Sequence, residues 1–195
     1  HYPCKKDGKL AAQVAFNIML AHAKAVHVYR ELDLPGEIGV VLNLTPSYTR
    51  NNSDEDKKAA WYADLFFNRS FLDPLVKHEF PKELCEVLAA HDCLPEIKKV
   101  DVDLITRSRV DFLGVNYYVP RRVKARECPY ELDYFTPEYY FENYSDPEGR
   151  FNPYRDNNEI YPEAIYDIAC NIRDNYGNMK WYLAEIGIAM DIQSE

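Results

Sequence analysis

Polar side chains that could act on a ligand end three apolar, strand-like segments of this 195-residue chain. They are Asn43, Asn116 with Tyr117 and Tyr118, and Glu185. In α/β proteins, ligands bind at the carboxyl ends of the strands. A carboxylate beside amides and phenols at such an edge would suit a hydroxyl-rich ligand.

Each of these residues also has a simpler interpretation. An amide or a carboxylate that ends a buried strand costs desolvation free energy unless another group pairs with it. Asn43 and Asn116 could anchor loops by hydrogen bonds. Glu185 could form a salt bridge with an arginine, because buried charges are normally paired. The residues alone leave these alternatives open.

The elements that must position these residues alternate along the chain. Periodicity and capping signals predict helices over 9–32, 53–69, 83–90, 101–107 and 162–176, and buried strands over 38–44, 110–116 and 181–185. Strands that are apolar on both faces are typical of parallel sheets, so we expect an α/β fold with a parallel sheet. Three strands cannot close a barrel, and the chain is therefore expected to be the middle of a larger fold. Segment 120–158 is too long for an ordinary connection and is expected to be functional.

Composition narrows the class of protein and its partners. The hydrophobic content of 47% excludes intrinsic disorder, and a net charge of -9 without a basic cluster argues against nucleic acid and anionic membranes. No apolar run could span a bilayer, and residues 1–30 lack the core of a signal peptide. The five scattered cysteines form no C-x-x-C pair. We expect reduced thiols in a cytoplasmic protein, with no metal site and no nucleotide loop.

The motifs at the strand ends resemble those of family 1 glycoside hydrolases. Trp-Tyr-Leu-Ala-Glu-Ile-Gly over 181–187 is similar to that family's strand-seven motif, usually Tyr-Ile-Thr-Glu-Asn-Gly. Asp-Phe-Leu-Gly-Val-Asn-Tyr-Tyr over 111–118 is similar to its strand-six motif. Segments 38–43 and 159–164, and His1-Tyr2-Pro3 with the helix that follows, resemble further parts of the family in the same order. The resemblance covers essentially all of the chain.

This resemblance implies a fold and a mechanism. The fold is a single domain over residues 1–195 that forms part of a (β/α)₈ TIM barrel, about strands five to seven with their helices. The three predicted strands should then be parallel neighbours in that order, with helices on one side. The mechanism is retaining hydrolysis by two carboxylates roughly 5–5.5 Å apart. Glu185 would be the nucleophile, Tyr118 would donate a hydrogen bond that favours its ionised form, and Asn116 would bind the sugar. No organic cofactor and no metal is implied.

The chain departs from the family pattern in ways that affect this prediction. It contains no Asn-Glu-Pro, the motif that carries the acid/base glutamate. Asn158 stands where the family has a sugar-site tryptophan, and Ile186 replaces the asparagine after the nucleophile. The strand-eight region, where phospho-glycosidases bind phosphate, has no counterpart. We therefore expect the chain alone to be inactive and, with an uncovered inner sheet face, to self-associate.

Two segments of the sequence predict the substrate class within the family. The sequences over 42–48 and 116–125 look most like bacterial 6-phospho-β-glucosidases, which implies a small-molecule, 6-phosphorylated β-glycoside hydrolysed by the full-length form. A β-glucosidase, a 6-phospho-β-galactosidase and a catalytically dead truncated remnant are the alternatives. Arg121 and Arg122 could meet a phosphate, although an exposed, solvated pair is the simpler interpretation. The tyrosines of 130–144 are expected to pack rather than to stack on sugars.

Overall fold

The computed structural model describes residues 5–155 and 158–188, so the opening His1-Tyr2-Pro3 lies outside the described residues. The helices are α1 (Gly8–Glu31), α2 (Asp54–Asp64), α3 (Ser70–Leu72), α4 (Lys82–Ala90), α5 (Lys99–Arg107) and α6 (Ala164–Asn175). The strands are β1 (Gly39–Asn43), β2 (Ser47–Thr49), β3 (Phe112–Tyr117), β4 (Arg121–Lys124), β5 (Glu142–Asn143) and β6 (Trp181–Ile186). None of the described helices is long and apolar enough to cross a bilayer.

The first sheet contains the three predicted strands. They run parallel in the order β1-β3-β6, as expected from their apolar character. One face is covered by helices, and the core there contains Phe16 of α1, Ile105 of α5 and Ile168 of α6. The other face is open, with Val41 51% and Tyr182 47% exposed. The sheet therefore has one packed face and one uncovered face.

The second predicted helix is longer than its sequence pattern indicates. Ser53 caps it, since its side chain accepts a hydrogen bond from the backbone N–H of Asp56 at 3.2 Å. The prediction that it ends at Arg69 is wrong, because helical turns continue to Lys77. Two π-helical turns, Leu65–Arg69 and Asp73–Lys77, carry the chain past the buried Pro74, which lacks a backbone N–H. His78, in a left-handed conformation, ends the helix.

A second sheet, absent from the sequence prediction, joins β2 to two strands of segment 120–158. Its order is β2-β4-β5, with β2 and β4 parallel and β4 and β5 antiparallel. Val123 and Phe141 are fully buried beneath it against Ala59 and Ala63 of α2. The long segment is therefore a folded layer beside the first sheet.

Aromatic side chains of this layer pack against the neighbouring helices, as predicted for 130–144. The rings of Tyr140 and Tyr62 stack with centroids 4.0 Å apart, and Phe135 stacks on His91 at 4.0 Å. The Arg126 guanidinium donates hydrogen bonds to several carbonyls, including that of Glu138 at 2.6 Å. These contacts order the segment between β4 and β5.

Candidate active site

The polar strand ends lie side by side across the first sheet. Asn43 is paired with Asn116, and Asn116 is paired with Glu185. Because the three strands are parallel, their carboxyl ends meet at one edge, which is where α/β folds bind ligands. The sequence-predicted residues Asn116 and Glu185 are therefore neighbours.

A β-bulge in β6 sets the direction of Glu185. The pairing steps from Val115 with Leu183 to Asn116 with Glu185, so Ala184 is an additional residue. In a regular strand Glu185 would share the helix-covered face with Leu183, since residues two apart lie on one face. The extra residue instead puts Glu185 opposite Asn116, and bulges are known to re-aim side chains in this way.

Tyr118 and Glu185 are in direct contact. The Tyr118 hydroxyl donates a hydrogen bond to Oε2 of Glu185, which is the contact that the family resemblance implies. This carboxylate raises the pKa of the Tyr118 phenol above its usual value, because the bond requires the phenolic proton. A carboxylate that accepts such a bond is held in one orientation.

Asn116 has an amide oxygen with no partner. Its Oδ1 is shielded from solvent and accepts no hydrogen bond from any described residue. An unsatisfied buried acceptor is costly, so this oxygen does not serve as a loop anchor in the described part of the chain. A donor that reached it, such as a sugar hydroxyl, would satisfy this acceptor.

Asn158 lies on a separate segment, and no contact between described residues joins it to Glu185 or Asn116. Its carbonyl accepts a hydrogen bond from the backbone N–H of Asn152 at 2.8 Å. The next residue, Glu159, is only 5% exposed. The Asn158 segment is therefore fixed by its backbone and by the buried residue that follows.

Glu159 forms a two-point ion pair with Arg122. The Arg122 guanidinium donates from Nε to Oε2 at 2.9 Å and from Nη2 to Oε1 at 2.6 Å. These two hydrogen bonds to Glu159 raise the pKa of the Arg122 guanidinium above its usual value. The prediction of an exposed, solvated arginine pair is thus wrong, because Arg122 is tied to Glu159 and Arg121 lies over the ring of Phe67 at 3.5 Å.

Comparison with known proteins identifies the family. The sequence profile of glycosyl hydrolase family 1 matches residues 1–195. This chain belongs to glycosyl hydrolase family 1. The predicted family resemblance is confirmed, and it extends over the whole sequence.

Curated family 1 relatives include phospho-glycosidases. The chain is 48% identical over 192 residues to the 6-phospho-beta-glucosidase GmuD of Bacillus subtilis, covering 98% of this chain and 41% of that protein. It is 33% identical to the 6-phospho-beta-galactosidase of Clostridium acetobutylicum, covering 94% of this chain and 42% of that protein. The chain spans about two fifths of the length of these relatives.

Solved family 1 structures share its fold. A beta-glucosidase from Exiguobacterium marinum superimposes with a TM-score of 0.86 at 26% identity, covering 100% of this chain and 42% of that one. The family 1 beta-glucosidase from Thermotoga maritima gives 0.81 at 30% identity, covering 98% and 40%. The α/β arrangement is consistent with part of a barrel.

Sequence reasoning missed two features of this family 1 site. The bulge at Ala184 cannot be recognised from the pattern of apolar residues in the strand. The Arg122–Glu159 pair joins residues 37 apart, and no local periodicity links them. The sequence offered one clue to this pair, the position of Glu159 directly before the apolar Ile160. A glutamate that is buried with such a neighbour needs a cation as its partner.

Proposed function

We propose that this chain carries the nucleophile side of the active site of a retaining β-glycosidase. Glu185 attacks the anomeric carbon, the leaving group departs, and water later hydrolyses the covalent glycosyl intermediate. Tyr118 orients the carboxylate through its hydrogen bond, and Asn116 accepts a hydrogen bond from a sugar hydroxyl. The single observation that carries this proposal is the Tyr118–Glu185 hydrogen bond at the edge where Asn116 ends β3.

We assign β1, β3 and β6 to strands five, six and seven of a (β/α)₈ barrel, in one domain over residues 1–195. In this assignment the open face with Val41 and Tyr182 lines the interior of the barrel. The second carboxylate, roughly 5–5.5 Å from Glu185, comes from residues outside this chain, since the sequence contains no Asn-Glu-Pro.

The proposed substrates are 6-phospho-β-glucosides. The proposed reaction takes place in the cytoplasm and needs no cofactor. The 48% identity to a protein named as a 6-phospho-beta-glucosidase, against 33% to one named as a 6-phospho-beta-galactosidase, supports glucose over galactose. Asn158 approaches the sugar from the segment that Arg122 and Glu159 anchor.

The test is covalent labelling of the natural-length protein with a 2-deoxy-2-fluoro-β-glucoside 6-phosphate, followed by peptide mapping. The label is expected on the peptide that contains Glu185. Glu185→Gly should lose hydrolysis and, with azide, form the α-glycosyl azide, since azide then enters from the face that the nucleophile vacated. Glu31→Gln, an exposed position on α1, is the matched control and should behave as the native protein.

Two results would remove the assignment. A label on any other residue would give the nucleophile role to that residue. Undiminished turnover by Glu185→Gln would show that the carboxylate is not needed. A natural-length protein with no turnover and no label would favour a catalytically dead remnant.

A further inference from the structure

Arg121 carries a positive charge that no described residue neutralises. It forms no ion pair within the described ranges, and its Nε is buried without a hydrogen-bond partner there. Burial lowers the pKa of its guanidinium from the usual value, while Glu138 opposes that shift from a distance. A shielded guanidinium with free donors is costly unless an acceptor reaches it.

The neighbouring Arg122 shows the contrast. Its donors are occupied by Glu159 at 2.9 and 2.6 Å, and its guanidinium lies 4.8 Å from the ring centroid of Tyr161. Two adjacent arginines therefore differ in function. Arg122 is a structural partner of Glu159, whereas the charge of Arg121 remains available.

Arg121 lines a cavity of about 510 Å³, a volume typical of small-molecule sites. The other polar residues on its wall are Thr45, Asn143, Tyr144, Ser145 and the ion pair of Arg122 with Glu159, whose carboxylate is already taken up by Arg122. Val119, also on the wall, directly follows Tyr118 in the chain. Thr45 and Val119 follow the carboxyl ends of β1 and β3, so the cavity lies beyond the same end of the first sheet.

The ring of Phe67 determines how Arg121 can be used. The guanidinium carbon lies 3.5 Å from the ring centroid, so the ring covers one face; Nε is shielded, and the edge that carries the two Nη atoms is left for a ligand. This edge forms a planar fork that matches two oxygens of a carboxylate or a phosphate.

We propose that Arg121 binds an anionic group of the glycoside, a phosphate or a carboxylate, and so selects charged glycosides over neutral ones. The location of the glycoside rests on the proposed function. The anion could stand on the sugar or on the leaving group, and both present the same oxygens to the fork.

Binding to the natural-length protein separates these sources without requiring turnover, because thioglycosides resist hydrolysis. Three probes are titrated calorimetrically. One is 3-carbamoylphenyl β-thioglucoside 6-phosphate, with the anion on the sugar. The second is 3-carboxyphenyl β-thioglucoside, with the anion on the leaving group, and the third is the neutral 3-carbamoylphenyl β-thioglucoside.

Arg121→Met should weaken binding of at least one charged probe about tenfold or more, and leave the neutral probe unchanged. The probe that loses affinity identifies the position of the anion. Arg121→Lys should recover part of the loss, and Arg107→Met, at an exposed position on α5, should change nothing. If Arg121→Met does not fold, Arg121→Gln replaces it.

The proposal is overturned if both charged probes keep their native affinity, or if the neutral probe loses as much as they do. Since binding is read directly, failure of Glu185 as nucleophile would leave this result intact. Conversely, an unchanged affinity of Arg121→Met would leave the nucleophile assignment untouched.

Discussion

Breaking the Arg122–Glu159 pair should destabilise the fold by an amount that depends on which partner is removed. The side chains of Arg122 and Glu159 are 15% and 6% exposed. Arg122→Met leaves a buried carboxylate without its cation, and the free energy of unfolding should fall by about 3–5 kcal/mol. Glu159→Gln should cost about 1–3 kcal/mol, because Arg122 keeps Asp146 at 3.9 Å and the Tyr48 and Tyr161 rings.

The measurement is urea unfolding of the natural-length protein at neutral pH, followed by circular dichroism. Arg122→Met combined with Glu159→Gln should be more stable than Arg122→Met alone, since the second change removes the orphaned charge. Arg173→Met is the control, because Arg173 and Asp174 form a solvated pair with side chains 58% and 54% exposed, and unfolding should not change. Equal losses from the two single substitutions, or additive losses in the double variant, would refute this reasoning.

Four further predictions concern the site, the core and the chain alone. Tyr118→Phe should lower kcat on a 6-phospho-β-glucoside about 10–100-fold with KM little changed, because a hydrogen bond to a charged group is lost; an equal effect on stability and none on kcat would contradict it. Ultraviolet titration should show the Tyr118 phenol ionising above the usual tyrosine pKa, and Glu185→Gln should lower that pKa. Burial and a hydrogen bond to Asp73 at 2.6 Å raise the pKa of Tyr176, so the folded state keeps a proton that the unfolded chain releases. The free energy of unfolding should therefore fall as pH rises above about 10, and less so in Tyr176→Phe. The 195-residue chain alone should not hydrolyse 4-nitrophenyl 6-phospho-β-glucoside measurably, since a general acid contributes about 10²–10⁴-fold.

The sequence was informative where a signal is local and long. The periodicity of α1 over 24 residues and the apolar runs of β1, β3 and β6 were sufficient to predict helices, strands and a parallel sheet, and the family resemblance supplied the order of the strands. The contact between Tyr118 and Glu185 came from the family resemblance, because 67 residues separate the two and no periodicity relates them.

Features that depend on short or distant pairings could not be predicted. Strands β4 and β5 have 4 and 2 residues, too few to show alternation. Pro74 normally indicates that a helix ends, and only the observed π-helical turns show how the chain continues. Arg121 and Arg122 have the same residue type, and their different environments arise from Phe67 and Glu159, which lie far away in sequence.

The additional residue in β6 makes the position of Glu185 a matter of strand length as well as residue identity. If Ala184 were accommodated in a regular strand instead of a bulge, the carboxylate would turn toward the helices, where Leu183 lies, whereas a chain without Ala184 would keep its glutamate opposite Asn116 with no bulge. The direction of the carboxylate therefore depends on the bulge and on the residue count together. Comparison of family members by matching glutamates alone would overlook a closed bulge, whereas the strand register from Gly114 and Tyr182 to the carboxylate would reveal it.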